Sequence, residues 1–63
     1  MKILFSTEGA AFKDEYADET TNEFYTRDEC VRILKRIVAD MEYGYKHGSI
    51  MDINGNKIGE WSI

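Results

Sequence analysis

Apolar positions between Thr26 and Gly48 recur every three or four residues, which is the spacing of one face of an α-helix. That apolar face comprises Cys30, Leu34, Ile37, Met41 and Tyr45, with Val31, Ile33 and Val38 beside it. At the start, Thr26 and Glu29 fit a capping box, in which each side chain accepts a backbone N–H. Because Tyr45 continues the apolar face, the pattern favours Gly48 over Gly44 as the end. We therefore predict one amphipathic helix from Thr26 to Gly48.

Short apolar segments on both sides of this helix predict strands. Residues 2–6 form the first, with alternate side chains on opposite faces. Residues 49–54 and 57–63 flank Asn54-Gly55, a strong hairpin signal. Two turn geometries fit: a two-residue primed turn at Asn54-Gly55, or a type I turn over residues 52–55 with a bulge at the glycine.

The last strand contains a conflict of faces. Trp61 and Ile63 share one face, whereas Ile58 falls on the other unless a bulge intervenes. Gly59 inside the strand predicts such a bulge, or a close approach by the helix or by Trp61.

Together these elements predict a single α+β domain spanning residues 1–63. One amphipathic helix packs on a three-stranded, mainly antiparallel sheet in the order strand, loop, helix, strand, strand, with a C-terminal hairpin. Residues 22–25 would supply a fourth, edge strand if they are extended. Phe12 is expected to fill one end of the core. The other face of the sheet stays uncovered and offers a docking surface for a partner or a second copy.

Charge and length narrow the classes of function. The 63 residues include 12 acidic and 8 basic side chains, a net charge of −4, which disfavours nonspecific binding to nucleic acid or to an anionic membrane. A basic protein surface is the favoured partner. No apolar run is long enough for a signal peptide or a membrane span, and the single cysteine excludes an internal disulfide. We therefore expect a soluble, cytoplasmic protein.

The inventory of reactive groups predicts no enzyme. His47 is the only imidazole and is expected at the exposed end of the helix. Cys30 falls on the apolar helix face, where a small core residue is expected and a nucleophile is not. No catalytic pair and no cofactor site is predicted.

A calcium loop is the nearest metal motif. Asp52, Asn54 and Asn56 alternate as its ligands do, but Lys57 stands where glycine is required and Ile63 where a bidentate glutamate is required. We interpret these residues as turn chemistry and predict no metal site.

Acidic and aromatic residues are interleaved before and around the predicted helix start. This acidic–aromatic segment comprises Asp14, Glu15, Tyr16, Asp18, Glu19, Glu23, Phe24 and Tyr25. Carboxylates steer a protein toward a basic surface and aromatic side chains anchor it there. We predict that the segment binds a partner protein with a basic surface.

Two alternatives remain open. Arg32, Lys35 and Arg36 lie three and four residues apart, so they share an exposed side of the helix and could contact nucleic acid. The uncovered sheet face could instead be closed by homodimerisation.

Three pieces of the chain carry a resemblance. They are Phe5-x-Thr7-x-x-Ala10-Ala11-Phe12, Arg32-Ile33-Leu34 and Gly48-x-Ile50-x-Asp52-Ile53-Asn54-Gly55-Asn56-x-Ile58-Gly59-x-Trp61. This arrangement resembles small proteins of undefined role encoded by phages and prophages, although residues 13–23 look like an insertion. The resemblance implies a viral accessory protein that binds a host protein in the host cytoplasm. An anti-CRISPR-like inhibitor of a defence nuclease complex is one such case.

Overall fold

The structure, a computed structural model, describes residues 1–9, 12, 16 and 18–63. Its elements are β1 (Lys2–Phe5), α1 (Glu19–Tyr43), β2 (His47–Met51) and β3 (Lys57–Ser62). The three strands form one open antiparallel sheet in the order β1-β3-β2. The predicted α+β fold is therefore confirmed, with β3 at the centre of the sheet.

The helix begins earlier than predicted. Asp18 caps it, and its carboxylate accepts the backbone N–H of Thr21 at 2.8 Å. Aspartate is as good a cap as threonine, so the polar turns that follow it join the helix. The capping box of Thr26 and Glu29 is therefore wrong, since both lie inside α1. The proposed edge strand over residues 22–25 is also wrong, because those residues are helical.

The helix also ends sooner than predicted. Gly44 adopts the left-handed conformation with φ 117°, and its N–H bonds to carbonyl oxygens of the last turn. This geometry terminates the helix at the first glycine that can adopt it. The predicted end at Gly48 is wrong, because Gly48 lies within β2 opposite Trp61, and Tyr45 lies outside the helix.

The core lies between one side of α1 and the sheet. Its buried apolar side chains are Phe12, Ile33, Ile37, Ile50 and Trp61, with Phe5, Cys30, Met41 and Ile58 packed against them. The core role predicted for Phe12 is confirmed. The predicted apolar face of the helix is wrong in part, because Leu34 and Tyr45 are exposed, as are Val31 and Val38 beside it. The apolar arc of the helix is wider than the narrow sheet can cover.

The turn of the hairpin follows the second predicted geometry. The Gly55 N–H donates to the Asp52 carbonyl oxygen at 3.0 Å, and Gly55 has φ 85°. A primed turn would require positive φ at Asn54, and no non-glycine residue of the described chain has it. The turn over residues 52–55 with its bulge at glycine is therefore the observed one.

A second bulge removes the conflict of faces in β3. Ile50 pairs with Gly59 whereas Met51 pairs with Lys57, so Ile58 is the extra residue and reaches the core. Gly59 also allows a close approach, but by β1. A Cβ there would collide with the backbone of Phe5, and not with the helix or Trp61 as expected.

Candidate partner-binding site

The first two turns of α1 form an exposed end of the molecule. None of residues 19–25 is buried, because the helix residues that reach the core begin at Glu29. Asp18 and Glu19 place negative charge at the helix N-terminus, where it offsets the positive end of the helix dipole. The hydrogen bond from the backbone N–H of Thr21 lowers the pKa of Asp18 below its usual value, so this carboxylate is charged at neutral pH.

The structure distributes the acidic–aromatic segment around this helix end. Glu19 and Glu23 are four residues apart and lie on the same side. Phe24 and Tyr25, which are 54% and 47% exposed, are consecutive, so their side chains leave the helix about 100° apart. Tyr16 is 91% exposed. Asp14 and Glu15 lie outside the described residues.

One cation lies among these groups that the sequence interpretation did not include. The guanidinium carbon of Arg27 is 5.4 Å from the centroid of the Phe24 ring, which is a cation–π contact. Arg27 also borders a shallow groove with Glu19, Glu23 and Thr26. The contact could have been predicted from the sequence, because Phe24 and Arg27 are three residues apart and such residues are neighbours on a helix. The candidate surface therefore combines two carboxylates with an aromatic ring that Arg27 covers on one face.

The alternative basic stripe is largely engaged within the chain. Arg32 donates through Nε to the Glu29 carboxylate and through Nη2 to the carbonyl oxygen of Met51 at 2.9 Å. Arg36 donates to Asp40 at 3.2 Å. Of the three predicted contacts with nucleic acid, Lys35 alone forms no salt bridge within the described part of the chain.

Glu29 is the residue that sequence reasoning most clearly misassigned. Its side chain is buried in the middle of α1, where one carboxylate oxygen accepts from Arg32 and the other accepts the backbone N–H of Ile53 at 3.0 Å. Glu29 therefore joins the helix to the β2–β3 turn. Its position four residues before the buried Ile33 was the available signal that it faces the core.

The alternating polar residues of the hairpin serve the turn, as their spacing suggested. One oxygen of Asp52 accepts the backbone N–H groups of Asn54 and Asn56, each at 2.9 Å, and the other accepts the Asn56 side-chain amide at 3.3 Å. No three side chains able to ligate a metal converge among the described residues.

Asp52 should make the stability of the hairpin depend on pH. The hydrogen bonds from Asn56 and Asn54 lower the pKa of Asp52 below the unfolded value of 3.8. Its contribution is thus present above that value and is lost as the pH falls through the lower, folded pKa. We expect the urea midpoint of the wild type to exceed that of Asp52→Asn at about pH 7, and the difference to shrink at about pH 2.5. A difference that does not change with pH would contradict this role of the charge.

The remaining groups considered for chemistry lie apart. His47 is exposed at the start of β2, not at the helix end where it was expected, and Cys30 is half-buried against the core. The uncovered sheet face carries Lys2, Leu4, Ser49 and Glu60, of which Leu4 is 66% exposed.

A groove lies between α1 and the free edge of β2, close to a buried polar atom without a partner in the described part of the chain. It is bordered by Arg36, Asp40, Ser49 and Trp61. The buried indole Nε1 of Trp61 has no hydrogen-bond partner in the described part of the chain. This nitrogen lies so close to Gly48 that a Cβ there would come within 2.7 Å of it, so the indole N–H is enclosed by the chain itself.

Across the described residues, no helix has the length and apolar character that crossing a bilayer requires. No family model, curated protein or solved structure matches the chain.

Proposed function

We propose that this chain is a non-enzymatic accessory protein of the phage or mobile-element type that binds a basic surface of a host protein in the host cytoplasm. Inhibition of a defence nuclease complex is the form of this activity that we favour. The acidic–aromatic segment is the proposed binding surface. The observation that carries the proposal is the exposed start of α1, where the side chains of Glu19, Glu23, Phe24 and Tyr25 are all accessible to a partner.

The first two turns of α1 are available for binding because they contribute no buried residue to the core. None of residues 19–25 is buried, so the first two turns are not needed to cover the sheet. Exposed aromatic side chains supply contact area at a small entropic cost, and nearby carboxylates accelerate association with a basic surface. An acidic and partly aromatic surface also suits a protein groove that normally binds nucleic acid. Its carboxylates can take the place of the phosphates, and its aromatic rings can take the place of the bases.

The rival function, direct binding of nucleic acid, has less support. Arg32 and Arg36 would have to leave Glu29 and Asp40 before they could contact phosphates. The net charge of −4 adds a repulsive contribution to any such complex.

A charge-reversal experiment tests the proposal. The Glu19→Lys, Glu23→Lys double variant keeps Asp18 and the helix cap but reverses the charge of the groove. The Glu8→Lys, Glu42→Lys double variant is the matched control, because it changes the net charge equally at two exposed sites elsewhere. We expect the wild type and the control to capture the same basic protein from a host lysate, and the first variant to lose it.

The captured complex is then measured with purified components. Association should slow as salt rises, and the Glu19, Glu23 variant should bind at least about tenfold more weakly than the control. Equal binding by the two double variants would contradict the proposed surface. Capture of nucleic acid that is lost on Arg32→Glu, Lys35→Glu, Arg36→Glu substitution would establish the rival function instead.

A further inference from the structure

The helix carries a second apolar side that the sheet does not cover. Val31, Leu34 and Val38 are 43%, 44% and 52% exposed, and we call them the outer stripe. Each follows directly after a residue that packs on the core, in the pairs Cys30-Val31, Ile33-Leu34 and Ile37-Val38. The first member of each pair faces the sheet, and the second lies about 100° further round the helix. The helix is thus built to contact apolar surface on two sides.

The spacing of the outer stripe is that of a coiled-coil seam. Val31, Leu34 and Val38 are separated by three and four residues, as are successive a and d positions of a heptad. The next position before Val31 in this pattern is Arg27, and Met41 after Val38 packs on the core, so the exposed apolar seam runs from Val31 to Val38. This three–four spacing favours another helix as the occupant, because a helix presents knobs at the same interval.

We propose that a second copy of this chain covers the outer stripe, with the two α1 helices packed antiparallel about a two-fold axis. Val31 of each copy then packs on Leu34 of the other. A second copy is self-complementary to this stripe by symmetry, so both apolar surfaces are buried in one interface. A core of only five buried apolar side chains among the described residues makes such added burial valuable for so small a domain.

Charge on the flank of the stripe selects the antiparallel direction. Asp28 and Lys35 are seven residues apart, so they lie on the same flank, and neither forms a salt bridge within the described chain. In an antiparallel pair with Val31 on Leu34, equivalent flanks face each other. Asp28 of one copy then faces Lys35 of the other, and the pair occurs twice. A parallel pair would instead place Glu23 beside Asp28 of the second copy, which is a repulsive contact.

The uncovered sheet face is the less suitable interface. It exposes Leu4, but Lys2, Ser49 and Glu60 surround that side chain. An interface there would bury charged groups, whereas the three residues of the outer stripe are all apolar.

Sedimentation velocity tests the proposal over a concentration range of about 10 to 300 µM, since dimerisation follows mass action. We expect the wild type to approach twice the monomer mass of 7.3 kDa. Leu34→Glu should remain monomeric, because it places two like charges at the centre of the seam. Leu4→Glu, the same substitution on the sheet face, should dimerise as the wild type does. Far-UV circular dichroism checks that both variants keep their helix.

The charge pair tests the direction of the helices independently of folding. Asp28→Lys and Lys35→Asp should each weaken the dimer about tenfold, and the double variant should restore it. A wild type that stays monomeric throughout would overturn the dimer, as would a dimer that Leu4→Glu abolishes and Leu34→Glu does not. Failure of the double variant to restore association would overturn the antiparallel arrangement. These variants leave Glu19 and Glu23 unchanged, so the dimer and the proposed partner binding fail separately.

Discussion

Phe12→Ala is expected to lower the free energy of unfolding by about 3–5 kcal/mol, as truncation of a fully buried phenylalanine generally does. Phe12 is 0% exposed and its ring stacks on Phe5 with centroids 6.4 Å apart. Its backbone is also held, since its N–H donates to Gly9 at 3.0 Å and its carbonyl accepts the Thr26 hydroxyl at 3.1 Å. Removing the ring leaves a cavity where the chain before α1 meets the helix.

This loss is large compared with the total free energy of unfolding that is expected for so small a domain. A chain of this length is expected to have about 3–9 kcal/mol in total, so the variant should be close to unfolding at room temperature. Urea and thermal unfolding followed by circular dichroism measure this, with a fall in Tm of at least about 12 °C. Phe24→Ala is the matched control, because the same side chain there is 54% exposed. Similar losses in the two variants would show that Phe12 does not anchor the core.

The parts of the fold that the sequence predicted are those with local signals. The hairpin depends on a turn whose chemistry is contained in Asp52 and the residues up to Gly55, and β1 depends on a short alternating run. Phe12 is a large aromatic in a polar neighbourhood, and burial is the usual fate of such a residue. These features need no knowledge of what the rest of the chain does.

The wrong predictions concern helix ends and faces for which the sequence offers two equally suitable residues. Asp18 and Thr26 are both suitable helix caps, and Gly44 and Gly48 are both suitable ends. The end of the helix depends on where β2 begins, and Gly48 belongs to β2 because it pairs with Trp61. Likewise, the apolar arc of α1 is broad enough for two faces. Only the position of the sheet decides that Ile33 is buried and Leu34 is exposed.

The candidate site was predicted as a set of residues but not as a surface. Composition alone identified an acidic and aromatic segment, and helical geometry then separates Phe24 from Tyr25 and groups Glu19 with Glu23. Arg27 was not included, because the predicted segment ends at Tyr25. Its contact with the Phe24 ring depends on the helix starting at Glu19, eight residues before Arg27.

Glu29 connects the helix to the turn between β2 and β3 through its hydrogen bond with the backbone of Ile53. It is 6% exposed, and its two oxygens accept from Arg32 and from the backbone of Ile53. Arg32 in turn donates to Met51, so helix and turn are held from both sides. A buried carboxylate is stabilising only while its partners are present, and its removal leaves those partners without an acceptor.

Glu29→Ala is therefore expected to lower the free energy of unfolding by about 2 kcal/mol. This is less than the loss expected on breaking a fully buried ion pair, because the Arg32 side chain is 41% exposed. Glu29→Gln should cost about half as much, since its amide oxygen can still accept the Ile53 N–H. Glu23→Ala, an exposed glutamate of the same helix, is the control and should change stability by less than about 0.5 kcal/mol. Urea unfolding gives the three values, and amide hydrogen exchange at Ile53 locates the loss. Protection of Ile53 that is unchanged in Glu29→Ala would mean that the hairpin is held to the helix by packing alone.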